Sequence, residues 1–150
     1  MSRLSVAAAA VVIFALLSGP IQAQSRRSLY ERVGGAKALT LVVDDFVARA
    51  AANPKVNFLR DGKFAASDAF VTHLKHLLVT FLGQAFGGPE KYTGRDMKTT
   101  HRGMRITQGE FDALAADLRA TLEKHKVGAA ETGEIMTIAA STAPDIVEVR

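Results

Sequence analysis

The chain carries four histidines and no cysteine. His73 and His76, in "DAFVTHLKHLL", stand three apart and share a helix face, a spacing that can clamp a metal ion. No carboxylate or third histidine sits at a supporting distance in the sequence, so a solvated surface pair accounts for them better. His125, in "EKHKV", falls near a helix end, where a solvated imidazole would face the negative end of the helix dipole. His101 differs. In "KYTGRDMKTTHRGM" a short helix beginning near Met97 would set Met97, His101 and Met104 along one side, at i, i+4 and i+7. Such a soft, apolar setting admits two readings. One is a hydrogen-bonded core histidine. The other is the single protein ligand of a metalloporphyrin, whose ring supplies the other four nitrogens. Without cysteine, Cys-x-x-Cys-His haem attachment, iron–sulfur ligation, thiol nucleophiles and disulfides are all excluded.

The elements that must position these residues follow from hydrophobic spacing. With 150 residues, 48% of them hydrophobic, the chain suits one domain. The first stretch, "MSRLSVAAAAVVIFALLSGPIQAQS", has a basic start at Arg3, an apolar run from Val6 to Leu17 and a Gly19-Pro20 breaker. With Ala23 at a cleavage site, residues 1–23 read as a secretory signal peptide, too short in its apolar run to span a bilayer. Export to a periplasm, with no stable membrane insertion after cleavage, is the expectation.

Past the leader, "SLYERVGG" predicts a one-turn helix stopped by Gly34-Gly35. From Ala36, Leu39, Val42, Val43, Phe46, Val47 and Ala50 recur at helical spacing until Asn53-Pro54. "KVNFLRDGKFAAS" is irregular. Ser67 or Asp68 caps a helix over 68–86 whose apolar set includes Phe70, Leu74, Leu77, Leu78 and Phe81, halted by Gly87-Gly88-Pro89. At about 100° per residue, His76 points roughly 160° from the centre of that face and His73 roughly 100°, on its border. Thr107-Gln108-Gly109-Glu110 has the form of a capping box opening a helix over 107–126. A last helix over roughly 129–142 precedes Pro144. No segment alternates as a strand, so the fold class is all-α. The formal charge of +4 is scattered, with no aromatic-interleaved basic cluster, which argues against nucleic-acid binding.

Taken in order, "SLYERVGG", "VVDDFVARAAANPKVNF", "FGGPEKYTGRDMKTTHRGM" and "ITQGEFDALAADLRATL" resemble a group 1 truncated haemoglobin. The likeness covers Ser28 to about Val147. It implies a truncated globin domain over 28–147, a two-over-two helical sandwich around non-covalent haem b. It also implies that His101 takes the proximal role, with Nε2 on the iron and Nδ1–H donating to a nearby carbonyl. Phe58 matches the aromatic that packs on the porphyrin, with Leu59 beside it. Phe46 and Phe81 match aromatic pocket positions, and Tyr92 with Gly87 and Gly88 shapes the turn after the distal helix. His73 would meet a haem propionate or solvent, or swing in as a sixth iron ligand if the helix rotates.

The resemblance also marks departures. Many family members carry a ligand-donating tyrosine where this chain has Val47. The ligand-facing places of the distal helix match Leu74, Leu77 and Leu78. Losing such a donor removes a hydrogen bond worth on the order of 1 kcal/mol from a polar gas ligand. Reversible binding of oxygen, nitric oxide or carbon monoxide is the leading expectation. The alternatives are nitric-oxide dioxygenase-type detoxification with an external reductant, and a haem-free helical interaction module.

Overall fold

A computed structural model describes residues 27–149; the expected signal peptide, 1–23, lies outside them. The first helix, α1 (Leu29–Arg32), is opened by a reciprocal cap. Ser28 Oγ accepts from the Glu31 amide, and the Ser28 amide donates to Glu31 Oε2 at 2.8 Å. Gly34 and Gly35 both take left-handed backbone (φ +100° and +70°), which reverses the chain within two residues. The next helix, α2 (Gly35–Ala52), therefore starts on the second glycine itself. It stops where expected, because Pro54 forces Asn53 into extended backbone.

Ser67 caps α3 (Asp68–Ala85) through the Phe70 amide, and Gly87 (φ +80°) carries the chain away from its end. A five-residue helix, α4 (Met97–His101), follows, with the Asp96 side chain accepting from the Thr99 amide. The Thr107/Glu110 capping box forms as the sequence predicts and opens α5 (Gln108–Lys124). Two helices close the chain, α6 (Ala129–Ser141) and α7 (Ala143–Ile146). The helix expected over roughly 129–142 forms as α6 and ends before Pro144, but a further short helix follows it. Helical backbone resumes at Ala143, with Pro144 inside the first turn of α7, where a missing N–H leaves no bond unmade.

Helix α2 packs on α3 and on α5, and α5 packs on α6, giving two stacked helix pairs. Their shared core holds Leu39 and Val42 of α2, Leu118 and Leu122 of α5 and Ile135 of α6, closed by Leu29 and Phe86. Leu122 is 2% exposed; burying such a side chain contributes about 1.5–3 kcal/mol. On its other side α2 presents Val47 and Ala50, which are buried without joining that core. Among the described residues there is no strand. A single parallel bridge, Thr107 to Val149, joins the chain's end to the start of α5. No described helix is long and apolar enough to cross a membrane.

His125 is not the solvated residue that its sequence position suggests. Its Nε2 lies 2.7 Å from Asp45 Oδ2, and Lys124 Nζ reaches the same oxygen at 2.7 Å. Packing of α5 on α2 brings the end of one helix against the middle of the other. Lys124 first, and His125 second, hold the Asp45 carboxyl below its usual range.

Candidate functional site

The second face of α2 looks onto a cavity of about 380 Å³. One wall is built by Phe46, Val47 and Ala50 of α2 with Phe70, Leu74, Leu77 and Leu78 of α3. Facing it are Thr100 and His101 of α4, Met104 and Ile106 of the following turn, and Phe111 and Leu114 of α5. Phe58, Arg60 and Phe64 of the 53–66 loop close one end. Phe64 is held there by stacking on Phe70, ring centroids 5.8 Å apart.

His101 is the part of this cavity with distinctive chemistry. Its Nδ1 lies 2.8 Å from the Met97 carbonyl oxygen. A carbonyl only accepts, so Nδ1 carries the proton and Nε2 of the neutral ring keeps its lone pair. Among the described residues nothing hydrogen-bonds to Nε2. Metal-binding imidazoles show this arrangement, since the bond at one nitrogen fixes the tautomer and raises the basicity of the other.

Helix α4 is too short to hold that ring by itself. Tyr92 Oη donates to the Arg95 carbonyl at 2.7 Å, and Thr100 Oγ1 reaches the same oxygen. Beyond the helix, Arg60 donates to the Met104 carbonyl from Nε (3.1 Å) and Nη2 (2.6 Å), and its Nη1 pairs with Glu110. Burial pushes the Glu110 carboxyl up, but Arg60 and the Thr107 amide together hold it below its usual range.

Of the residues given pocket roles from sequence, Phe46, Val47, Phe58, His73, Leu74, Leu77, Leu78 and His101 line this one cavity. Phe81 and Tyr92 are not on its surface. They pack edge to face, centroids 5.4 Å apart, where the end of α3 meets the following loop. Leu59 is likewise off the lining. The helical side shared by Met97, His101 and Met104 also needs correction. Helix α4 ends at His101, Met104 reaches the cavity from a turn, and Met97 contributes its carbonyl instead of its thioether. His73 is exposed at the rim, and His76 is exposed away from it. Among the described residues no three His, Cys, Asp or Glu side chains gather as a metal cluster.

Sequence reasoning missed Arg60, Phe64, Arg95 and Ile146, all of which line the cavity. They lie in irregular segments or beyond the last long helix, where no periodicity marks a face. Phe111 and Leu114 recur at helical spacing on α5, but nothing in one sequence says that this face meets a cavity.

The α2/α3 wall contributes one polar side chain, His73, and that one is exposed. At the exposed edge Arg95 joins His73, while Arg60, largely buried, is committed to Glu110 and the Met104 carbonyl. The arrangement is an apolar slot with a lone-pair nitrogen on one face and the Arg95 guanidinium and His73 imidazole at its mouth. It suits a flat, largely apolar cofactor that carries a metal ion and acidic substituents.

The family model described as bacterial-like globin matches residues 28–148. The group 1 truncated haemoglobin GlbN of Mycolicibacterium paratuberculosis is 35% identical over 119 residues, 79% of this chain and 83% of that protein. GlbN of Nostoc commune is 38% identical over 105 residues, 70% and 84% of the two chains. Among solved structures, the 2/2 haemoglobin of Synechococcus sp. PCC 7002, in the cyanomet state with covalently attached haem, superposes with a TM-score of 0.70. It is 31% identical, covering 81% of this chain and 98% of that one. The truncated haemoglobin of Tetrahymena pyriformis in its Fe(III) form gives 0.71 at 28% identity, with the same coverage. With its helix pairs, its cavity and these relatives in agreement, the chain belongs to the bacterial-like globins, among the group 1 truncated haemoglobins.

Proposed function

We propose that this globin holds haem b in the cavity between α3 and α4, with His101 as its proximal ligand, and reversibly binds a diatomic gas. The observation that carries the reading is the Nε2 lone pair of His101 at an apolar slot, its tautomer set by the Met97 carbonyl. Haem, when bound, supplies an iron with one coordination position open to a gas. The chain supplies the rest. Phe46, Phe58, Leu74 and Leu78 exclude water and pack on the ring, and Arg95 offers a positive partner and His73 a hydrogen-bonding one to its propionates. Phe81 and Tyr92 act one layer out, propping the turn that leads into α4.

Facing the gas, Val47, Leu74, Leu77 and Leu78 present no hydrogen-bond donor. Ligands that need no donated bond, carbon monoxide and nitric oxide, gain relative to oxygen at such a wall. The same feature argues against the nitric-oxide dioxygenase alternative, which begins from firmly held oxygen. Export completes the proposal, supported by the basic start, apolar run and small-residue site of residues 1–23.

Titrating the purified chain with hemin tests the central claim. A Soret band saturating at one hemin per chain, shifted by carbon monoxide after reduction, is the expected result. Free-hemin spectra throughout would reject it. For export, the mature protein should be recovered outside the cytoplasm with an N-terminus after Ala23; an intact leader in the cytoplasm would reject that part.

A further inference from the structure

The turn that follows His101 is gripped from two sides by distant parts of the chain, and the second grip comes from the C-terminal segment. Gly103 and Arg105 both adopt left-handed backbone (φ +75° and +55°) around Met104. Alternation of this kind aims backbone amides into one concavity, a natural seat for an anion. The Glu148 carboxylate fills it. Oε1 accepts from the Gly103 amide at 2.7 Å and Oε2 from the Arg105 amide at 2.6 Å. Those two amides hold the carboxyl below its usual range.

Backbone bonds secure Glu148 itself. The Glu148 and Val149 amides donate to the Ile106 carbonyl at 2.9 and 3.1 Å, and the Gln108 amide donates to Val149 O at 3.1 Å. From the opposite side Arg60 takes the Met104 carbonyl. The Met104 amide donates back to His101 O at 3.0 Å, so the clamped turn is bonded directly to the residue bearing the imidazole.

We propose that Glu148 is a positioning residue for the proximal imidazole, clamping the 103–105 turn so that a five-residue helix presents Nε2 at one fixed depth in the slot. The proposal rests on the haem reading above. Helix α4 has too few turns to define that depth itself, and its side-chain cap, Asp96, restrains only the far end. A charged, two-bond clamp three residues past the ligand supplies the missing constraint.

Glu148→Ala, Glu148→Gln and the exposed control Glu123→Ala, each in the full chain, test this. Three readouts are needed: hydrogen exchange at the Gly103 and Arg105 amides, hemin transfer to excess apomyoglobin, and the iron–imidazole stretching band of the ferrous protein. Glu148→Ala is expected to speed exchange at those two amides and hemin loss by about tenfold each, the scale of one charge-assisted bond. It should also shift the stretching band while amides in the α5 core exchange as before. Glu148→Gln, retaining one acceptor oxygen, should fall between, and it carries the comparison if the alanine variant does not fold. Faster exchange at the two amides with unchanged hemin loss and an unmoved band would overturn the proposal, leaving Glu148 a loop anchor. Unchanged exchange would overturn it too. A wild-type chain that forms no Soret band would instead reject the haem reading, and the positioning role with it.

Discussion

His101 Nδ1 sits 2.8 Å from the carbonyl oxygen of Met97, one turn earlier on the same short helix. Rotating the ring to present Nδ1 instead of Nε2 would break that bond, so ring orientation and tautomer are set together. Replacing His101 by glycine should lower hemin affinity by on the order of a hundredfold or more, exceeding the loss seen for outer-shell partners. The same variant should recover much of its Soret intensity in millimolar free imidazole, which can enter the vacated space. Hemin titrations with and without imidazole check both statements. Full affinity in the glycine variant would show that another residue holds the iron.

The Arg60–Glu110 pair makes an acid-stability prediction whose sign is fixed. Glu110 titrates below its ordinary value in the folded chain, and the ordinary value is about 4.3. A depressed carboxyl stabilises the fold fully above its unfolded value, and that contribution fades as pH falls through the folded one. Glu110→Gln should therefore cost about 1–2 kcal/mol near pH 7, with the gap to wild type closing below about pH 4. Urea midpoints measured across that range decide it. A gap independent of pH would assign the loss to the capping box alone.

Gly88 illustrates what a glycine pair can do beyond ending a helix. Its amide donates to Gly83 O at 2.8 Å, and a Cβ built on it would meet that oxygen at 2.8 Å and the Tyr30 ring at 2.6 Å. The Glu90 and Tyr30 side chains could shift, but the Gly83 oxygen is backbone and cannot swing aside as they would. Gly88→Ala should destabilise the fold by about 1–3 kcal/mol, the scale of overpacking, measured by chemical denaturation. Gly62, with nothing within 4 Å of an added Cβ, separates crowding from backbone strain. Its left-handed φ of +84° gives a Gly62→Ala variant the strain without the crowding.

How legible all this was depends on how local each signal is. Helix α5 was readable to within a few residues because its stripe and its Thr107/Glu110 cap are written in neighbouring positions. Leu74 and Leu78 could be assigned to an inward face for the same reason. Phe81 belongs to that face by angle, yet it lies two turns past Leu74, beyond the end of the cavity, and the angle carries no information about depth. His125 and Asp45 are 80 positions apart, and their pairing exists only because α5 packs on α2. Arg60 and Glu148 are harder still. Each acts on backbone atoms of a turn 43 to 45 residues away, and no residue type at the receiving end signals it.

The distal wall supports the prediction with the clearest functional consequence. Val47 is 3% exposed overall and lines the cavity on α2 beside Phe46, so a larger side chain there has one open direction, into the cavity. Val47→Tyr would place a phenolic O–H at a wall that otherwise offers none. A hydrogen bond of about 1.4 kcal/mol to a polarised ligand corresponds to roughly tenfold slower release. Carbon monoxide, being less polar, should change by about twofold or less. Stopped-flow release of each gas from wild type and variant isolates the effect, because steric crowding by the ring would alter both gases together. Similar shifts for oxygen and carbon monoxide would mean that Val47 governs access to the cavity and that wall polarity does not set ligand preference.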